Sequence, residues 1–262
     1  MIAALSIRVV SWAVLAYLAL PLVVILGSSL TESAFLAFPP EGLTLRWYQQ
    51  MLGEPGYVSA FTTSTLLALA ATAAALVLTV PAALAVARYD FPGKRAMTSV
   101  LMSPLVLPHI VLGAALLQFG GYFGLTRSFT SLLIGHTVII APFVLRATLA
   151  LMTPEQKALE EASADLGANP WTTFFLVTLP QIRAGIVTGS IFAFISSWIN
   201  VELSIFNTTA DLNTIPVKLF NYVQYTIDPT IAAVSGATIV VAVVAITILD
   251  LTIGLDMLSD RE

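Results

Sequence analysis

An all-α membrane protein with six transmembrane helices is the fold class that this sequence predicts, on three observations. The chain of 262 residues is only 10% charged and 58% hydrophobic, with a mean hydropathy of +0.92. A soluble domain carries about 25% charged residues. The few charges leave long uncharged runs at residues 9–31, 55–87, 96–126, 128–145, 184–201 and 229–249, and a bilayer core is crossed by about 20 apolar helical residues. None of these runs alternates over about ten residues as a membrane β-strand does. Helices instead satisfy every backbone polar group internally.

The elements follow in order. Spans are expected near 9–29, 58–87, 96–119, 128–149, 184–206 and 229–254, within a single transmembrane domain covering 1–262. The first run follows Arg8 and ends near Gly27-Ser28-Ser29, as a cleaved signal would. It is long, however, and contains Trp12, Tyr17 and Pro21, so it is read as a retained helix. Pro39-Pro40-Glu41-Gly42 is a turn signal in the segment that follows. The alanine-rich stretch 68–75 suits close helix packing. Pro21, Pro81, Pro104, Pro108 and Pro142 predict kinks. Gly120-Gly121 and Gly124 mark a short hairpin. Residues 166–182 are too short to span and are interrupted by Gly167, Asn169-Pro170 and Pro180, which predicts a short interfacial or docking helix.

Basic residues set the orientation. With the N-terminus inside, Arg8, Arg88, Lys94, Arg95, Arg146, Lys157, Arg183 and Arg261 face the cytoplasm, and only Arg46, Arg127 and Lys218 face outward. Both termini are therefore expected to be cytoplasmic. A net charge of −4 supplies no basic surface for nucleic acid. The absence of cysteine excludes disulfides, thiol nucleophiles and thiolate metal sites, and no metal site is expected.

The most specific chemistry lies in the inner segment 152–183. Thr153 is a suitable N-cap, Pro154 fits the first helical position, and Gln156 three residues after the cap completes a capping box. Gly167 is a natural residue to follow the helix end. Asn169-Pro170 restarts a helix that carries Trp171, Phe174, Phe175 and Leu176 and is expected to stop at Pro180. The predicted unit is helix, glycine turn, helix, acidic in one half and apolar in the other. It is too small for a catalytic domain. Two uses stay open from physics alone: docking into a groove on a soluble partner, or lying on the lipid surface.

Glu161-Ala162-Ser163, Gly167 and Leu179-Pro180 resemble the EAA signature of ABC-importer permeases, with Ser163 in place of the second alanine. Phe38-Pro39-Pro40-Glu41-Gly42 with Leu45-Arg46-Trp47-Tyr48 resembles the second permease of spermidine/putrescine-type systems. So do the stretch from Ala87 to Lys94, Ile215-Pro216-Val217, and the stretch from Asp228 to Ala233. The resemblance implies a type I ABC importer permease fold in a bacterial inner membrane, with a cytoplasmic coupling helix. Glu161, Ala162, Ser163, Gly167, Leu179 and Pro180 would be its ATPase-coupling residues. It further implies a second permease subunit, two ATPase subunits that carry the ATP and Mg, and an extracytoplasmic solute-binding protein. The chain itself has no phosphate loop, since Gly93-Lys94-Arg95 lacks both the first glycine and the hydroxyl residue. No catalytic residue and no cofactor are expected in it.

Polar residues inside a membrane are costly and so become functional candidates. Glu202 lies 18 residues beyond Ala184, roughly 27 Å outward on a helix. Beside Trp198 and Asn200 it would form a substrate path able to cradle an ammonium group. The related permeases carry adjacent acids near this position, whereas Asn200-Val201-Glu202 offers one acid and one amide. An amino acid-like or opine-like solute therefore competes with a polyamine, and a non-amine solute remains an alternative. His109 and His136 fall well inside the spans with no carboxylate or histidine partner evident at matching depth, and are read as hydrogen-bonded structural residues. Asp250 ends the last run and is read as a capping or snorkelling residue. An intramembrane protease would need paired catalytic groups at one depth. An ion-driven carrier would need more buried ionisable groups. Neither pattern is present.

Overall fold

The computed structural model describes residues 2–253, with side chains from Ser6 to Val243 and of Thr247. The side chain of Asp250, together with Arg261, lies outside the described residues. Eleven α-helices are described: α1 (Ile2–Ser28), α2 (Arg46–Gly53), α3 (Pro55–Arg88), α4 (Lys94–Met102), α5 (His109–Phe123), α6 (Phe129–Leu149), α7 (Pro154–Asp165), α8 (Pro170–Thr173), α9 (Leu179–Trp198), α10 (Ile215–Val223) and α11 (Pro229–Ile253).

Four helical stretches among the described residues are long and apolar enough to cross a membrane: Ser6–Ser28, Pro55–Arg88, Phe129–Leu149 and Pro170–Trp198. Lys94–Leu105 and His109–Phe123 pass together as a fifth, bent by 106°. The sixth expected span corresponds to α11, whose stretch Pro229–Val243 is a shorter apolar helix. Where the sequence predicts one span over 96–119, kinked at Pro104 and Pro108, the chain breaks sharply into two helices. The cause is local. Pro104 sits in a tight turn over Ser103–Leu105, and Pro108 is extended at φ −60° and ψ 124° before α5 begins. Proline removes a helical donor and disfavours helical geometry in the residue before it.

The expected single domain is organised as two compact units, one comprising residues up to Val58 and from Leu219 onward, the other Ser59–Lys218. In the first unit α11 packs on α1 and α2. A side chain at Gly236 would meet the Tyr48 hydroxyl at 2.6 Å, and that hydroxyl lies 2.8 Å from Ser29 Oγ. Trp47 is buried and its indole N–H donates to the Thr31 carbonyl at 2.8 Å.

The second unit is built on the antiparallel pair α6 and α9. Gly185 and Gly189, four residues apart on α9, form its crossing face. A Cβ at Gly185 would lie 2.5 Å from the Ala147 carbonyl oxygen, and one at Gly189 would lie 2.9 Å from Val144 Cα. Small residues at this spacing let two backbones approach where lipid supplies no hydrophobic drive between helices. The core joins Ala71 and Ala75 of α3 to Ile139, Ile140 and Val144 of α6 and Ala193 of α9. The alanine-rich stretch thus packs as its composition suggests.

Candidate functional sites at the two ends of the second unit

At one end, α7 and the helix that begins at Pro170 form a hairpin. Gly167 turns it, at φ +88°. Its N–H donates to the Ala164 carbonyl at 2.9 Å, and the Ala168 N–H reaches back to the Ser163 carbonyl at 3.1 Å. These two bonds make a Schellman motif, which needs a left-handed residue after the helix end. Asn169 restarts the chain, its Oδ1 accepting from the Thr172 N–H at 2.9 Å. The Ser163 hydroxyl shares a 3.1 Å hydrogen bond with Thr173, so the serine in the alanine position ties the two arms together.

Two expectations for this segment change. The capping box does not form, because Thr153 makes no side-chain cap bond. The nearby Glu155 carboxylate instead takes a hydrogen bond from the Thr153 side chain, which holds it below the usual carboxylate range. Gln156 Oε1 is buried without a partner. Pro180 does not stop the helix either, since Pro170–Trp198 runs through it. Residues Phe174–Thr178 form a widened π-turn in which the Leu179 N–H donates to the Phe174 carbonyl. The wider turn lets the helix pass a residue that has no N–H to give.

The acids of α7 divide by face. Glu161 is exposed and 3.4 Å from Lys157. Glu160 points inward. Arg88, at the end of α3, donates Nε to Glu160 Oε2 at 2.7 Å and Nη2 to Oε1 at 3.0 Å, while the Thr178 hydroxyl donates to Oε1 at 2.9 Å. The Arg88 and Glu160 side chains are only 10% and 16% exposed. Bidentate arginine–carboxylate pairing is the strong form of the ion pair. Sequence reading places Glu160 among the acids of this loop but misses its pairing, because the partner lies 72 residues away. Trp171, Phe175 and Leu176 stay exposed, and Trp171 stacks on Phe175.

At the other end, α9 stops at Trp198, short of the expected 206. The next residues are irregular and are held by side-chain hydrogen bonds. Asn200 Oδ1 accepts from the Leu203 N–H at 2.9 Å, and buried Asn207 donates to the Gly113 and Leu203 carbonyls. A Cβ at Gly113 would lie 2.8 Å from the Leu203 carbonyl oxygen, so this turn rests directly on α5. His136 is fully buried between Ser197 Oγ at 2.7 Å and Ser204 Oγ at 2.9 Å, the structural role its composition suggested.

His109 does have a carboxylate neighbour, contrary to the sequence reading. Its Nδ1 lies 3.9 Å from Glu202 Oε2 and 3.3 Å from Asn200 Nδ2. Imidazole, amide and carboxylate therefore share one place, with Glu202 still 62% exposed. Trp198 is directed elsewhere. It is 7% exposed, packs edge-on against Phe61 and donates its N–H to Thr65 at 3.2 Å. The expected aromatic wall of the cradle is thereby removed, and His109 is added to the cluster.

Comparison with known proteins gives a consistent picture. The family described as "Binding-protein-dependent transport system inner membrane component" matches residues 79–255. The spermidine/putrescine transport system permease protein PotC of Escherichia coli K12 is 26% identical over 234 residues, covering 89% of this chain and 88% of that protein. The putrescine transport system permease protein PotI of the same strain is 29% identical over 214 residues, covering 78% and 75%. A crystal structure of a bacterial ABC transporter that imports the acidic polysaccharide alginate matches with TM-score 0.70 at 17% identity. It covers 96% of this chain and 95% of that one, and shows a shared fold.

Proposed function

The chain belongs to the family of binding-protein-dependent transport system inner membrane components, and from that premise we propose that it forms half of the path of an ATP-driven importer for a small amine-containing solute. It is a multi-pass, non-catalytic transport subunit. Its proposed partners are a second permease subunit, two ATPase subunits carrying the ATP and Mg, and a solute-binding protein outside the membrane. The proposed setting is a bacterial inner membrane with both chain ends in the cytoplasm, which the distribution of Lys and Arg supports.

The observation that carries the reading is the hairpin. Glu161 stands exposed on α7 while Gly167 fixes the turn and the Ser163–Thr173 bond holds the arms. A short rigid helix with an exposed acid suits insertion into a groove on a soluble subunit. Ala162 is a small residue on the same exposed helix, and Leu179-Pro180 closes the motif where the π-turn rejoins the span. Docking here would convert closure of the ATPase subunits into rocking of the two permease halves between inward- and outward-open states.

The solute side of the proposal rests on Glu202 with Asn200 and His109. One carboxylate beside an amide and an imidazole suits a solute bearing one cationic amine and a further polar group, which covers amino acid-like and opine-like solutes as well as a polyamine held by one end. Amine transport by the PotC and PotI relatives supports the class. The test is reconstitution in proteoliposomes with candidate ATPase, permease and binding-protein partners. Solute-stimulated ATP hydrolysis is expected, and Glu161→Lys is expected to abolish it while the chain still folds. Intact coupled hydrolysis in that variant overturns the docking assignment. Glu202→Gln is expected to impair uptake of a cationic solute selectively. Equal uptake by variant and wild type returns Glu202 to an ordinary boundary residue.

A further inference from the structure

We propose that Arg88, Glu160 and Thr178 form a clamp that makes α3, the α7 hairpin and the start of the 170–198 helix move as one body, so that Arg88 and Glu160 are positioning residues for coupling. Three hydrogen bonds from two different helices converge on one carboxylate of a third. The hairpin and the end of α3 face each other across a cavity of about 420 Å³, lined by Leu84, Tyr89, Ala164 and Phe174 as well as the clamp residues. The clamp spans the edge of this cavity and ties its walls together. A bidentate arginine–carboxylate pair resists both sliding and rotation, because two parallel bonds fix the relative angle as well as the distance.

Neighbouring positions on α7 serve two directions. Successive helical residues point about 100° apart, so Glu160 reaches into the bundle while Glu161 beside it stays outside. The π-turn takes part as well. One extra residue in a turn re-phases the helix that follows, and Thr178 at its end is buried against Glu160 while Phe175 and Leu176 before it are exposed. The widened turn thus separates an outward apolar face from an inward clamp residue within one helical stretch. Such turns recur at functional sites.

The inference rests on the docking reading above, and its test separates the two. Spin labels are placed at exposed Leu159 on α7 and exposed Val77 on α3 of the complete importer. Their separation is measured without nucleotide and after trapping with ATP and vanadate. In the wild-type background the distance is expected to stay constant. A change of about 5 Å, one helical turn, overturns the clamp. With Arg88→Met the distance is expected to change on trapping, and ATP hydrolysed per putrescine taken up is expected to rise about tenfold, with ATPase subunits still captured. Thr178→Val removes only one bond and is expected to give a smaller loss, with Thr178→Ser restoring it. This series keeps the inference open to refutation should Arg88→Met fail to fold, because equal coupling in Thr178→Val and Thr178→Ser also overturns the clamp. If the unmodified chain captures no ATPase subunit, the docking reading itself fails and the clamp goes with it.

Discussion

Glu160 and Glu202 stand at opposite ends of the second unit and are held in opposite ways. From Thr178, just before α9, to Trp198 at its end the helix runs about 30 Å. Glu160 has three donors and little exposure. Glu202 has one imidazole at 3.9 Å and is mostly exposed. An acid held by three donors of its own chain and little exposed offers little to a partner or solute, and its role is to hold geometry. An acid left nearly free is available to whatever arrives. Glu161 belongs with Glu202 in this respect, although it sits next to Glu160. The comparison separates residues that build the hairpin from residues that use it.

The largest expected effect comes from breaking the built end. Arg88→Met leaves Glu160 with one donor and an uncompensated charge in a mostly enclosed place, which costs about 3 kcal/mol. Thermal unfolding in detergent micelles, followed by tryptophan fluorescence, should show it as a clear loss of midpoint. A midpoint equal to the wild type would mean that solvent already screens the pair. Gly167→Val comes next. A β-branched residue at φ +88° is strained by about 2 kcal/mol, and the Schellman turn would open. Its signature is lost capture of ATPase subunits with the transmembrane bundle intact, read by co-purification.

Ser163→Ala is smaller again. It removes one partly buried hydrogen bond between the arms, worth about 1 kcal/mol, and restores the alanine of the family signature. Capture of ATPase subunits is expected to persist. Complete loss of capture would make the Ser163–Thr173 bond part of the docking geometry itself, in place of a tie between two arms already fixed by Gly167 and Asn169.

What was legible in the sequence follows from the range of each interaction. Gly167, Asn169 and Pro170 act on their own backbone, so their roles stood in the local order of residues. The capping box misled because the Thr153 side chain pairs with the Glu155 carboxylate and accepts no helix N–H, a side-chain orientation that sequence spacing does not set. Pro180 misled because a π-turn five residues long absorbs its missing donor. The inward role of Glu160 was not legible because Arg88 reaches it only in three dimensions. Trp198 was assigned to the wrong face because position along a helix gives depth but not direction, and the ring turns toward Phe61 and Thr65. Gly185 and Gly189 carried a readable signal of close helix packing, two glycines four apart on an apolar helix.

The smallest expected change in stability belongs to Glu202→Gln, and it sharpens the comparison most. The substitution removes a charge that is 62% exposed and only 3.9 Å from its nearest cationic candidate, an arrangement worth no more than about 0.5 kcal/mol. The unfolding midpoint should therefore stay with the wild type, the reverse of Arg88→Met. The Asn200 turn and the Asn207 bonds to Gly113 and Leu203 do not involve the Glu202 carboxylate, so the irregular segment after α9 keeps its shape. Uptake of a cationic solute is nonetheless expected to fall by about tenfold, the effect of losing one charge-assisted hydrogen bond of about 1.4 kcal/mol. A variant that unfolds early and transports poorly would place Glu202 with Glu160, as a residue that builds. A variant that melts normally and transports a cationic solute poorly keeps the two acids in separate roles.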